Sequence, residues 1–221
     1  MDVIEISKHA IPFLMKGLYV TAYLSFISGI LAIIIGMIGG ICGASKIFLL
    51  RWVYSIYVNI FRGTPFLIQL YIVYFVLPSF GITLNVYEAG IGTLAFNSGA
   101  YISEIVRAGI GAIPKEQSEA ALSLGMTPYL EMKLVIFPQV IRIIIPPLVG
   151  QLILLVKDTS VISLIGVFDL IKVGRELAIA SGENPIIIYS LVALFYFIIC
   201  YPLYCFSIFV EKRVRLHYDS L

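Results

Sequence analysis

The chain alternates long uncharged stretches with short segments that carry charge. No charged residue lies between Lys16 and Lys46 or between Glu183 and Glu211. Both stretches are longer than the roughly 20 apolar residues that a helix needs to cross the hydrocarbon core of a bilayer. Three further apolar stretches each contain charged side chains. The pattern predicts five membrane-spanning helices, over residues 17–41, 52–77, 88–108, 136–156 and 186–210.

Two remaining segments mix apolar and charged residues. In residues 159–184 the apolar part ends at Asp169, before it is long enough to cross a bilayer. Residues 1–16 mix charged and apolar side chains in a similar way, and their acidic start is unlike that of a signal peptide. We therefore expect both segments to form helices that lie at the membrane surface.

The composition agrees with a membrane protein. Hydrophobic residues make up 60% of the 221 residues and charged residues only 13%, with a mean hydropathy of +1.01, whereas soluble domains carry about 25% charged residues. These figures exclude a soluble globule and a disordered chain. The net charge of +2 gives no indication of nucleic-acid binding. The three cysteines lack the paired spacing of a metal site, so we expect no metal.

The distribution of Lys and Arg predicts the orientation. When the N-terminus is placed outside, the inner segments hold more of these residues than the outer ones, and the basic tail Glu211–Arg215 lies inside. Loops rich in Lys and Arg favour the cytoplasmic side of a membrane. We therefore expect an outer N-terminus, a cytoplasmic C-terminus, and a cytoplasmic loop over about residues 109–135. The segment 159–184 would then lie on the outer side.

The loop 109–135 carries strong helix signals. Pro114 is suited to the start of a helix, and strong helix formers follow it. Gly125 can end that helix in the left-handed conformation, and Thr127-Pro128 can start a second one. A mere connection between two spans needs less structure. The loop is therefore predicted to be a compact pair of short helices that docks onto a partner.

Several motifs of this chain match those of a known family. Glu119-Ala120-Ala121, Gly125 and the later Val135-Ile136-Phe137-Pro138 resemble the EAA loop of ATP-binding-cassette (ABC) importer permeases. Phe61-Arg62-Gly63-Thr64-Pro65 and Lys157-Asp158-Thr159-Ser160 resemble motifs of the branch that takes up polar amino acids such as histidine, glutamine and arginine. The resemblance extends from about residue 12 to residue 215, and it is specific because the motifs share their order and spacing with the family.

The resemblance implies the fold and the partners. It implies an all-α membrane protein like a type I ABC importer permease, a single transmembrane domain over residues 1–221 in the bacterial cytoplasmic (inner) membrane. Two cytoplasmic ATPase subunits would bind ATP and Mg, since the chain has no phosphate-binding loop and needs no cofactor of its own. A second permease subunit, identical or homologous, and an extracytoplasmic amino-acid-binding protein are also implied. The ATPase-coupling residues would be Glu119, Ala120, Ala121, Leu122, Gly125 and Met126.

Polar side chains inside the predicted spans are candidates for substrate binding. Ionisable groups there cost about 2.5–3.5 kcal/mol each on insertion scales and usually line a pathway or contact a partner. In three spans the polar residues recur on one helix face. These faces hold Asn59, Arg62, Phe66 and Gln69 in the second span, Asn97, Tyr101 and Glu104 in the third, and Gln151, Leu154 and Asp158, with Lys157 beside them, in the fourth. Arg62 is suited to the carboxylate of an amino acid, and Glu104 and Asp158 to its ammonium group. The candidate substrate-binding residues are Arg62, Asn97, Ser98, Tyr101, Glu104 and Asp158.

A structural role is the alternative for the charged members of this set. Arg62 or Arg107 can pair with Glu104, and Lys157 can pair with Asp158 or extend to the interface. If the two acids do face the substrate, their excess over one arginine indicates a cationic amino acid such as arginine, lysine or histidine.

Glycine and proline predict two local features. Gly63 and Pro65 are expected to interrupt the second span beside Arg62, which frees backbone groups to line a cavity. The pair Gly36 and Gly40 indicates close packing of the first span against another helix of the same chain.

Transport by alternating access, driven by a separate ATPase, is therefore the leading prediction. An ion-gradient-driven transporter or channel is the alternative, but it leaves the helical loop 109–135 without a purpose. The spans contain no H-E-x-x-H or G-x-S-x-G motif. We therefore do not expect this chain to be an enzyme.

Overall fold

The computed structural model describes residues 3–180 and 184–218, which form helices and the turns between them. Four long helices build the bundle: α1, Val3–Ala44; α4, Val86–Gly111; α7, Phe137–Ile162; and α9, Pro185–Tyr218. The shorter helices are α2, Phe48–Gly63; α3, Phe66–Tyr71; α5, Lys115–Ser123; α6, Pro128–Glu131; and α8, Leu170–Ala180. Within the described residues the predicted all-α fold is confirmed.

Within the residues that the structure describes, three helical segments are long and apolar enough to cross a membrane, namely Glu5–Ala44, Pro128–Ile165 and Pro185–Lys212. The segments Phe48–Gly63 and Phe66–Phe80 qualify only as a pair bent by 104°, which raises the number to four. Helix α4 covers the predicted third span and has 26 residues, but polar residues lower its hydropathy. Half of the 26 residues of α4 are buried within the bundle. The count of five spans stays a prediction.

The first residues do not form a separate surface helix, so that prediction was wrong for the described part of 1–16. Helix α1 runs without interruption from Val3. Ile6, Ala10 and Leu14 are buried on one face of α1, where they pack with buried residues of α8 and α9 such as Leu170 and Ile188. Because this face is buried against α8 and α9, α1 stays helical through residues 3–16, although the charged residues there had indicated a separate helix at the membrane surface.

The predicted surface segment 159–184 is shorter than expected. Helix α7 continues to Ile162, a turn of 3₁₀-helix covers Ser163–Ile165, and α8 begins only at Leu170. Residues 181–183 lie outside the described part. Within the described residues, the predicted surface helix is therefore reduced to the 11 residues of α8.

Helix α4 is the centre of the bundle, and α1 packs closely along it. A Cβ atom on Gly36 would lie 2.3 Å from Ile102 Cγ2, and one on Gly40 would lie 2.4 Å from Val106 Cβ and 2.8 Å from the Ser103 carbonyl oxygen. No side chain therefore fits between the two backbones at these points. The predicted role of the glycine pair, packing within the chain, is confirmed.

Gly40→Ala is expected to lower the stability of the protein in detergent by about 1–3 kcal/mol, because the added methyl group overpacks a contact with backbone. Gly92→Ala is the matched control. Gly92 lies in α4 with no atom within 4 Å of the added Cβ, and alanine there should stabilise by about 0.5–1 kcal/mol. Thermal unfolding of both variants checks this. Equal melting temperatures would contradict the packing described.

Asp169 fixes the start of α8 from a buried position. Its side chain is 0% exposed, and Oδ1 accepts a hydrogen bond of 2.9 Å from the Lys172 N–H. Oδ2 has no hydrogen-bond partner among the described residues, although the hydroxyl of Tyr196 lies beside the carboxyl group. Burial raises the pKa of Asp169 to about 6. The negative charge therefore destabilises the folded state at neutral pH.

Asp169→Asn is expected to raise the melting temperature at pH 7 and to lose this advantage as the pH falls. The folded protein binds the proton of Asp169 more tightly than the unfolded chain, whose Asp pKa is about 3.9. Wild-type stability from this group therefore rises as pH falls from about 6 to about 4. Asparagine keeps the capping oxygen but does not titrate. A melting-temperature difference that does not change with pH would contradict this account.

Candidate functional site

A cavity of about 510 Å³ lies where the helix break between α2 and α3 meets α4 and α7. Its size is in the range of small-molecule sites. It contains most of the polar face predicted for the fourth span. The lining residues are Arg62, Gly63, Thr64, Pro65, Phe66, Asn97, Tyr101, Gln151, Leu154 and Asp158.

The helix break forms one wall of this cavity. Helix α2 ends at Gly63 and α3 begins at Phe66. The interruption of the second span that was predicted from Gly63 and Pro65 is therefore present. The expectation that Asn59, Arg62, Phe66 and Gln69 share one helix face was wrong, because the helix does not continue through them. The break places the first two on α2 and the others on α3, at an angle of 104°.

Gln69 compensates the backbone groups that the break leaves without helical partners. Its Nε2 donates hydrogen bonds to the carbonyl oxygens of Phe61 at 2.8 Å and Thr64 at 3.1 Å. Its Oε1 accepts one from Asn97 Nδ2 at 3.0 Å. Gln69 and Asn97 are both buried. The break is thus fixed to α4, and the sequence signal for it is a glutamine shortly after a Gly-x-Pro interruption.

Arg62 and Asp158 place opposite charges on this cavity. The Arg62 guanidinium lies 5.3 Å from the centre of the Tyr101 ring, in a cation–π contact. Asp158 is half-buried on α7. Among the side chains that the structure describes, neither charge forms an ion pair, since the ion pair found there joins Arg107 and Glu104. Neither charge is therefore neutralised by an ion pair with a described residue, although Arg62 also acts electrostatically on Glu104.

Glu104 and Ser98 do not line the cavity. Arg107 donates two hydrogen bonds to the Glu104 carboxylate, at 3.0 Å from Nε and 2.6 Å from Nη2, and the Tyr54 hydroxyl donates a third. Pairing of Glu104 with Arg107 was the structural alternative considered for this residue. Ser98 is 0% exposed, and its Oγ accepts a 3.5 Å hydrogen bond from Gln151. Ser98 thus holds Gln151, which lines the cavity, without facing the cavity itself.

The structure also separates Lys157 from Asp158. Asp158 lines the cavity with Arg62, whereas Lys157 lines a different cavity with residues of α8 and α9. The two side chains do not form the ion pair that the sequence allowed. Within the described residues, no cluster of three His, Cys, Asp or Glu side chains could hold a metal ion.

The predicted pair of short helices is present between α4 and α7. Helix α5 follows Pro114 and ends before Gly125, which has φ +80°. Thr127 begins α6, its Oγ1 accepting a hydrogen bond of 3.4 Å from the Leu130 N–H. Ser118 of α5 donates a hydrogen bond to the Glu131 carboxylate. The two helices therefore form one unit.

This unit exposes apolar side chains. Leu122 is 47% exposed, Leu124 79% and Tyr129 70%. Among the predicted coupling residues, Glu119, Ala120, Leu122 and Gly125 are exposed, Met126 is half-buried and Ala121 is buried. We call the four exposed ones together with Leu124 the loop surface. Its exposed leucines are typical of an interaction site.

Comparisons with known proteins agree with the fold and motifs. Residues 32–216 match the family of binding-protein-dependent transport system inner membrane components. The L-cystine transport system permease protein TcyB of Bacillus subtilis (strain 168) is 39% identical over 92% of this chain and 87% of its own length. The arginine transport system permease protein ArtQ of the same organism is 35% identical over 93% of this chain and 94% of its own length.

A solved structure supports the same assignment. The crystal structure of an amino acid ABC transporter with histidines contains a chain that superposes with a TM-score of 0.82 at 32% identity. The match covers 100% of the present chain and 99% of that one. The matching proteins are permease subunits, which in ABC transporters leave ATP hydrolysis to a separate subunit. The present chain therefore belongs to the binding-protein-dependent inner membrane components, as a multi-pass transmembrane permease subunit of an amino-acid ABC importer.

Proposed function

We propose that the cavity at the helix break is the substrate site of this importer and that it binds one amino acid as a zwitterion. The observation that carries the proposal is the presence of Arg62 and Asp158 on one cavity without an ion pair between them. Arg62 would bind the carboxylate and Asp158 the ammonium group, since charge-assisted hydrogen bonds are about twice as strong as neutral ones. Asn97, Tyr101 and Gln151 would supply further hydrogen bonds.

The charge balance of the cavity favours a zwitterion over a cation. The prediction of a cationic substrate depended on two acids, Glu104 and Asp158, against one arginine. Because Glu104 is bound by Arg107 and Tyr54, one acid and one arginine remain. A polar amino acid with no net charge therefore fits the site better than arginine or lysine.

The loop surface is proposed to bind the ATPase subunit. Its exposed leucines supply an apolar contact, and Ser118–Glu131 holds the two short helices as one body. Closure of an ATPase dimer on this body would move α4 and α7, which flank it. Alternating access of the cavity would follow. A second permease subunit, an outer binding protein that delivers the substrate, and an outer N-terminus with a cytoplasmic C-terminus complete the proposal.

Reconstitution tests this function directly. The permease is incorporated into proteoliposomes with its ATPase and binding protein, and uptake of a panel of labelled amino acids is measured. We expect ATP-dependent uptake of a neutral polar amino acid in preference to arginine and lysine. Uptake that continues without ATP and follows an ion gradient would contradict the proposal. Preferred uptake of arginine would contradict only the preference for a zwitterion over a cationic amino acid.

A further inference from the structure

Two neighbouring cavities lie along the helix pair α7 and α9, separate from the cavity that Asp158 lines. The first, about 350 Å³, lies between α1, α7 and α9, and its walls are almost entirely apolar, including Leu152, Val156, Ile199 and Leu203. The second, about 330 Å³, lies between α7, α8 and α9 and includes Lys157, Ser160, Tyr189 and Tyr196. We call them the apolar groove and the lysine cavity.

The two cavities follow one another along the same helices. Val156 of the apolar groove and Lys157 of the lysine cavity are consecutive in α7, and Tyr196 and Ile199 are one turn apart in α9. The apolar groove is formed by the three segments that are each long and apolar enough to cross a membrane. In a membrane it would therefore lie at the depth of the lipid acyl chains, with the lysine cavity at the end where α7 approaches α8.

Lys157 has no anionic partner among the side chains that the structure describes. Its side chain is exposed and forms no ion pair with any side chain in 5–179 or 184–212, where the ion pair present joins Arg107 and Glu104. Asp158, its sequence neighbour, lines the opposite cavity. The hydroxyl-bearing residues Ser160 and Tyr189 line the same cavity as Lys157. An ammonium group with neighbouring hydroxyls is suited to a phosphate.

We propose that the apolar groove and the lysine cavity together bind one anionic phospholipid. An acyl chain would lie in the apolar groove between Leu152, Val156 and Leu203, and the phosphate would bind Lys157. The charge of Lys157 and the position of the groove within the apolar spans select a lipid over a peptide or a soluble anion. Simple extension of a lysine to the interface needs no groove. This site lies apart from both the substrate cavity and the loop surface.

Native mass spectrometry of the full-length chain tests this proposal. The protein is purified in a neutral detergent and exposed to equal amounts of phosphatidylglycerol and phosphatidylcholine. We expect wild-type protein to retain about fivefold more phosphatidylglycerol, the preference that one lysine near the phosphate supplies. Lys157→Gln should retain the two lipids equally. Leu203→Trp should lower retention of both, because the larger side chain fills the groove.

Lys172→Gln is the matched control, with no expected change in lipid retention. Lys172 Nζ already donates to the Gly166 carbonyl at 3.1 Å and lies 4.0 Å from the centre of the Phe168 ring. Undiminished phosphatidylglycerol binding by Lys157→Gln would overturn the proposal, and so would undiminished binding by Leu203→Trp. A disulfide between two copies carrying Ala193→Cys, with native cysteines replaced, would also overturn it, because a second copy would then cover the lysine cavity, which Ala193 lines.

Discussion

Substitution of Gly125 by aspartate is expected to leave the permease in the membrane and to lower substrate-stimulated ATP hydrolysis by the assembled transporter about tenfold or more, a loss of about 1.4 kcal/mol. Gly125 has φ +80°, where a residue with a Cβ is strained, although aspartate less than most. The new carboxylate would also lie beside the exposed side chain of Leu124. Both effects act on the surface proposed to bind the ATPase.

Gly81→Asp is the control that distinguishes the effect of backbone strain from the effect of changing the loop surface. Gly81 has φ +83° and, like Gly125, no atom within 4 Å of an added Cβ, but it lies in the connection between α3 and α4 rather than between α5 and α6. The same strain there should leave coupling intact. The measurement is ATP turnover with and without substrate in proteoliposomes, together with co-purification of the ATPase. Equal losses in the two variants would contradict the coupling role of the loop surface.

Asp158→Asn is expected to raise the substrate concentration for half-maximal uptake about tenfold or more. A hydrogen bond to a charged group contributes about 1.5–3 kcal/mol, and asparagine at this position keeps the shape of the side chain while removing its charge. An analogue without the α-amino group should show no such dependence on residue 158. Wild type and variant should therefore transport that analogue equally poorly.

Glu104→Gln provides the comparison for this experiment. Glu104 is bound by Arg107 and Tyr54 and does not line the cavity, so its substitution should lower stability more than substrate affinity. Uptake is measured per folded transporter, which removes the stability effect. A change in half-maximal concentration with Glu104→Gln, and none with Asp158→Asn, would reverse the assignment of the two acids.

Local chemistry made part of the fold predictable from the sequence. The interruption at Gly63 and Pro65 and the helix end at Gly125 each depend on a residue whose backbone preference is strong by itself. The close contact at Gly36 and Gly40 depends on the absence of a side chain at helical spacing. These features formed where the sequence placed them, and the loop helices between Pro114 and Glu131 did too.

The features that the sequence left open or misplaced depend on which helix faces meet. The pairing of Glu104 with Arg107 and Tyr54 excludes it from the cavity, but periodicity alone placed it on the face of Asn97 and Tyr101. Ser98 was placed in the candidate site because it is polar, whereas the fold buries it behind Gln151. The extension of α1 through residues 3–16 required a partner face on α8 and α9. Apart from Arg107, which lies three residues from Glu104 in α4, the partner in each of these contacts comes from another part of the chain.

The tight contact between α1 and α4 has a mechanical consequence. Val106 lies against Gly40 with no room for sliding, so this point can act as a fulcrum for α4. Asn97 lies nine residues to one side of Val106, and the end of α4 at Gly111 lies five residues to the other, which corresponds to lever arms of about 13 Å and about 7.5 Å. A tilt that moves the Gly111 end of α4 by a given distance then moves the cavity wall nearly twice as far in the opposite direction.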